Sequence, residues 1–138
     1  MANKKGKITY PETLRKVKKI IGIFSAKGGV GKSVVALNLA LSLRNKDKKV
    51  GLVDADIYGP SQALMLGAKG RKLEVIDEKL IVPLKHEGLK FMSMGLIAAD
   101  KVPVIWRGPM VSGAVLQLLS QTDWQELDYL IVQWCQLQ

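Results

Sequence analysis

Two lysines, a serine and two carboxylates carry spacing that suits phosphate chemistry. The string SAKGGVGKS sets Lys27 and Lys32 on either side of Gly28, Gly29, Val30 and Gly31, with Ser33 directly after. Glycines let successive backbone N–H groups turn toward an anion with no Cβ in the way. A helix opening near Lys32 would aim its unpaired N–H groups at the same anion. Lys32 then reaches the outer phosphates of a nucleotide. The Ser33 hydroxyl reaches a Mg²⁺ ion whose other ligands are phosphates and water. The pattern is Gly-x-x-x-x-Gly-Lys-Ser/Thr with Ala26 in first place, which alanine fills at negative φ. Further on, the string DAD sets Asp54 and Asp56 at alternate positions of a strand end. They point the same way, and both can face Mg²⁺ or its water.

These residues need elements to hold them, and the hydrophobic pattern supplies them. KIIGIF is a short apolar run that reads as a buried strand leading into the loop. VVALNLALSLRNKD reads as the helix leaving it, with Val34, Leu37, Ala40 and Leu41 at spacings of three and four and basic residues at its end. KKVGLVDAD is a second buried strand. The segment 11–18 reads as a short helix with Pro11 in its first turn. Gly59 and Pro60 break the chain, and Ser61 caps a short helix after them. KLEVIDEKLIVPLKHEGLKFMSMGL reads as a small β-hairpin and a returning strand. A helix follows WRGPM and runs to about Leu119, and LDYLIV is a last strand. Strands alternating with helices predict an α/β domain with a mostly parallel sheet flanked by helices. Right-handed crossovers place the glycine loop, the Asp54–Asp56 pair and the residues after Val132 on one edge of that sheet, where open α/β sheets bind ligands.

The bulk composition narrows the class. The chain has 138 residues, 48% of them hydrophobic, enough for one domain with a core. No apolar run approaches the ~20 residues of a membrane span, and the start has no secretory pattern; a cytoplasmic protein that does not engage membrane is expected. Net charge is +9, much of it in a basic leader over residues 1–19, with the P-loop domain portion over 20–138. Tyr10 is the one aromatic residue in that leader, so it reads as a solvated segment rather than a nucleic-acid surface. Cys135 is the single cysteine and forms neither an internal disulfide nor a Cys-x-x-Cys site. His86 reads as a surface hairpin histidine, and Trp106 and Trp124 as packing residues. Arg107 suits either an anion or an acidic neighbour.

The string KGGVGKS resembles the deviant Walker A group of P-loop ATPases, which includes the MinD/ParA proteins and the nitrogenase iron protein. Within it, DADIYGPS (Asp54 to Ser61), WRGPM (Trp106 to Met110) and DWQELDYLIV closely resemble the Mrp/ApbC family of iron–sulfur cluster carrier ATPases. The resemblance runs from about Ile20 to Val132. It implies that ATP is bound by Lys27, Gly28, Gly29, Val30, Gly31, Lys32 and Ser33, with Mg²⁺ near Ser33 and Asp54. It implies that Lys27 reaches the nucleotide of a partner in a homodimer, by the logic of an arginine finger. It further implies that Asp56 orients the attacking water, that Ile57–Ser61 forms a nucleotide-sensing switch, and that partners are iron–sulfur acceptor proteins.

The chain departs from this pattern after Val132. In Mrp-like proteins LDYLIV continues into an aspartate and a Pro-Pro-Gly-Thr-Gly-Asp segment; here Gln133, Trp134 and Cys135 follow. Gln133 takes the place of the Walker B aspartate, and the cluster-bridging Cys-x-x-Cys of the family has no counterpart among these residues. The expectation is therefore the N-terminal portion of such an ATPase, shortened by a shifted reading frame, with weak or no hydrolysis. The alternatives are a MinD/ParA-like positioning ATPase and a non-enzymatic fragment.

Overall fold

The computed structural model describes residues 12–25, 31–55, 73–76, 80–94, 96 and 111–135. A 3₁₀ turn (Glu12–Leu14) precedes strand β1 (Val17–Ser25), helix α1 (Lys32–Asn45) and strand β2 (Val50–Asp54). Short strands β3 (Glu74–Ile76), β4 (Leu80–Val82) and β5 (Leu84–His86) lead to β6 (Leu89–Ser93). Helix α2 (Val111–Gln121) and strand β7 (Leu127–Cys135) complete the described elements. The main sheet runs β1-β7-β2-β6-β5, and β3 and β4 form a separate antiparallel pair. β1, β7, β2 and β6 are mutually parallel, and only β5 runs against its neighbour β6. This is the mostly parallel α/β sheet that the alternating elements predict, hairpin included. In place of a helix over 11–18 there is the 3₁₀ turn, because β1 starts at Val17. That strand takes in Val17–Lys19 of the basic leader, paired with Leu127 to Tyr129 of β7.

The inner strands are buried on both faces, which explains their continuous apolar runs. One face, with Leu52, Phe91, Leu89 and Ile131, packs on α1 through Ala36 and Ala40. The buried seam of α1 is thus a pair of alanines four residues apart, which lets the helix lie close to the sheet. Val34 is not on it: 50% of its surface is exposed, as is 57% of Val35. The other face, with Val53, Met92, Leu130 and Val132, packs on Leu118 and Leu119 of α2 and on Trp124. Gly51 lies under this layer, where a Cβ would stand 2.8 Å from Leu127 Cδ1. Thr13 Oγ1 donates to the Ser120 carbonyl at 2.8 Å and ties the 3₁₀ turn to α2. β5 and β6 are joined by Glu87 and Gly88, both at positive φ, as a two-residue hairpin turn requires. His86 sits beside that turn, its Nε2 3.9 Å from a Glu87 carboxylate oxygen. The residues expected to form a loop and helix after Ala55, and the WRGPM string, lie outside the described residues.

At the end of the sheet where the parallel strands begin, Asp128 accepts hydrogen bonds from the Lys49 N–H (2.8 Å) and from Lys18 Nζ (3.1 Å). The Lys49 N–H and then Lys18 hold its carboxyl below the usual carboxylate range, and Asp128 in turn holds Lys18 above its usual value. A depressed folded-state value stabilises the fold above the unfolded carboxylate value of about 3.9, and the gain is lost as pH falls through the folded value. Asp128→Asn is expected to lower the urea midpoint at neutral pH, with the difference closing below about pH 4. An equal gap at neutral and acid pH would show that the charge on Asp128 contributes nothing.

Candidate functional site

The C-terminal ends of the parallel strands carry one row of side chains across the sheet. Register sets Ile23 beside Gln133, Gln133 beside Asp54, and Asp54 beside Ser93. Alternation puts this row on the face that α1 covers, since Ile131, Leu52 and Phe91 two residues earlier pack there. Asp54, Ser93 and Gln133 are each fully buried. Burying polar groups costs free energy unless they are hydrogen-bonded, so three in one row are bought for a purpose other than packing.

Helix α1 opens onto this row. Gly31 has φ 87°, a left-handed conformation that a side chain strains, and its carbonyl accepts the Val35 N–H at 3.0 Å. The N-cap position is Gly31, which has no side chain to cap the helix. Lys32 and Ser33, both half-buried, form its first turn. The Gln133 amide Nε2 donates to Ser33 Oγ at 2.6 Å, joining the helix start to the central strand. The Gln133 carbonyl accepts the Ala55 N–H at 2.8 Å, so β2 and β7 stay paired beyond Asp54. Ser93 Oγ accepts the Leu96 N–H at 3.0 Å and fixes the turn after β6.

Of the residues singled out for phosphate chemistry, Gly31, Lys32, Ser33 and Asp54 fall at this one edge. Lys27, Gly28, Gly29, Val30 and Asp56 lie outside the described residues, as do Ile57–Ser61, Trp106 and Arg107. Two participants were not read as such in the sequence. Ser93 ends an apolar strand, and its only signal is a small polar residue closing FMS. Gln133 reads in the sequence as standing where the family has an aspartate, and the spacing gives no sign that its amide holds Ser33. Trp124 is a packing residue, fully buried.

Mg²⁺ demands near-octahedral oxygen ligation and favours anionic donors. The row and the first turn of α1 together offer one carboxylate (Asp54), two hydroxyls (Ser33 and Ser93) and an amide (Gln133), and among the described residues no group of three His, Cys, Asp or Glu side chains could hold a metal. That donor set does not fit a Mg²⁺ ion held by the protein alone.

Comparison with known proteins agrees with this architecture. Residues 16–134 match the model of a family described as the NUBPL iron-transfer P-loop NTPase. The chain belongs to this family. It is 52% identical over 120 residues to an iron–sulfur cluster carrier protein of Pseudomonas fragi, covering 86% of this chain and 42% of that protein. It is 47% identical over 116 residues to the iron–sulfur cluster transfer protein NUBPL of Dictyostelium discoideum, covering 83% of this chain and 36% of that protein. Among solved structures, a nucleotide-binding protein from Archaeoglobus fulgidus in complex with ADP superposes with a TM-score of 0.73 at 35% identity, over 88% of this chain and 46% of that one. The NUBPL-type chain therefore spans about two-fifths of the length of these relatives. No described helix is long and apolar enough to cross a membrane.

Proposed function

We propose that this chain is the phosphate-binding part of an ATPase that assembles or carries iron–sulfur clusters. The observation that carries the reading is the convergence of the α1 start, with Gly31 in the left-handed region and Lys32 and Ser33 in the first turn, on the buried row Gln133–Asp54–Ser93. A helix start with glycine at its N-cap, directed at a strand edge, favours an anion there. In this reading the α1 N–H groups and Lys32 receive the nucleotide phosphates, and Gly28 to Gly31 wrap them. Lys27 serves the nucleotide of a partner copy, and Asp56 orients the attacking water. Ser33 and Asp54 would flank a Mg²⁺ ion brought by ATP, which the phosphates and water rather than these side chains would hold and which would neutralise phosphate charge. Their row is short of anionic donors for that task, so hydrolysis is expected to be slow. The cluster is cargo in this scheme, and its acceptors are iron–sulfur proteins.

Equilibrium titration with a fluorescent ATP analogue tests the reading directly. Saturable binding that unlabelled ATP displaces is expected, with little turnover. No binding at millimolar nucleotide would remove the proposed function.

A further inference from the structure

The contact between Gln133 and Ser33 does more than fill a position. Gln133 is fully buried, and its neighbour in register is Asp54, also fully buried. Neighbouring strands stand about 4.8 Å apart, and register partners on parallel strands point to the same face. Asp54 is the one carboxylate in the row Ile23–Gln133–Asp54–Ser93. A second carboxylate at 133 would set two like charges side by side out of water, an arrangement that needs a cation or a proton to persist. The neutral amide removes that need. It also supplies a donor, so that Ser33 Oγ accepts at 2.6 Å and the start of α1 is fastened to the central strand with no ion between them.

We infer that Gln133 is a positioning residue that frees this edge of the sheet from divalent cation. The site is held in shape by an amide–hydroxyl hydrogen bond, and neither its folding nor its affinity for phosphate depends on Mg²⁺. The affinity part of the inference rests on the proposed nucleotide site; the folding part does not.

Thermal melts of the chain without nucleotide, in EDTA and in millimolar MgCl₂, decide the folding part. Wild-type Tm is expected to be the same in both. Gln133→Asp is expected to melt several degrees lower in EDTA and to recover in MgCl₂. A wild-type Tm that rises with MgCl₂ as far as that of the variant would overturn the inference, as would a variant indifferent to MgCl₂. Gln133→Glu, which keeps the length of the side chain, serves should Gln133→Asp not fold, and the wild-type comparison stands without either. The fluorescent ATP analogue supplies the second arm. The ratio of affinities with and without Mg²⁺ is expected to stay near one in the wild type and to rise about 10–100-fold in the variant, the usual weight of a carboxylate near a metal. Equal ratios in the two proteins would count against Gln133. Absence of nucleotide binding in both would overturn the proposed function and leave the melts to decide on Gln133.

Discussion

Replacing Trp124 with alanine is expected to remove about 3–5 kcal/mol of stability, the range for truncating a buried aromatic side chain. A domain of this kind is stable by about 5–15 kcal/mol in total, so this one change takes much of the margin. Trp124 is fully buried and belongs to the cluster with Leu118, Leu119, Leu127 and Leu130. It lies between the end of α2 and the start of β7, so its ring closes the layer over β2, with its Cε3 3.2 Å from where a Gly51 Cβ would stand. Its indole N–H donates to the Leu119 carbonyl at 3.2 Å, one of the helix-end carbonyls, which also accepts from Thr13 Oγ1 at 3.4 Å. Its own carbonyl accepts from Lys90 Nζ at 2.7 Å. Truncation leaves a cavity too deep for the surrounding leucines to fill. Urea unfolding should show the midpoint falling steeply in Trp124→Ala, with Trp124→Phe intermediate, since it keeps most of the volume and loses the N–H bond. A midpoint near wild type in Trp124→Ala would mean that this layer is not the core.

The sequence made the α/β order and the site edge readable for one physical reason. Strands buried on both faces must be apolar through their middles, as residues 50–53 of β2 and 130–132 of β7 are; the polar residues that end those runs at Asp54 and Gln133 therefore mark where the sheet meets something else. The face of α1 was harder to read. Its apolar residues nearly encircle it, so spacing alone did not separate exposed Val34 from the Ala36–Ala40 seam, and only the closeness of helix to sheet chooses the alanines. The segment before β1 misled for a different reason. Pro11 and the spacing of Leu14 and Val17 suit a helix, but Val17 gains a parallel partner in Leu127, far along the chain, and long-range pairing overrides a weak local preference. Ser93 was silent because one serine has no period. The role of Gln133 was hidden by comparison with an aspartate: what an amide does depends on which hydroxyl stands opposite, and Ser33 is a hundred residues away in the chain.

Lys32→Met is expected to weaken binding of the ATP analogue on the order of 10–10²-fold while leaving the fold intact, since a hydrogen bond to a charged group contributes about 1.5–3 kcal/mol. The expectation rests on the position of the lysine. Lys32 is the first residue of α1, at the positive end of the helix dipole, where a cation costs stability rather than adding it. Gly31 before it sits at φ 87°, which strains any other residue, so the turn is shaped to bring the start of α1 onto the strand edge. A cation at this end of the helix suits an anion bound at the helix start. Methionine keeps the aliphatic length and removes the charge. The two readouts should therefore part: nucleotide affinity collapses, and the urea midpoint holds. Lys32→Arg should fall between, since the charge stays but a planar fork replaces a compact ammonium. A midpoint that fell with unchanged nucleotide affinity would make Lys32 a structural residue and would take the phosphate site away from this edge of the sheet.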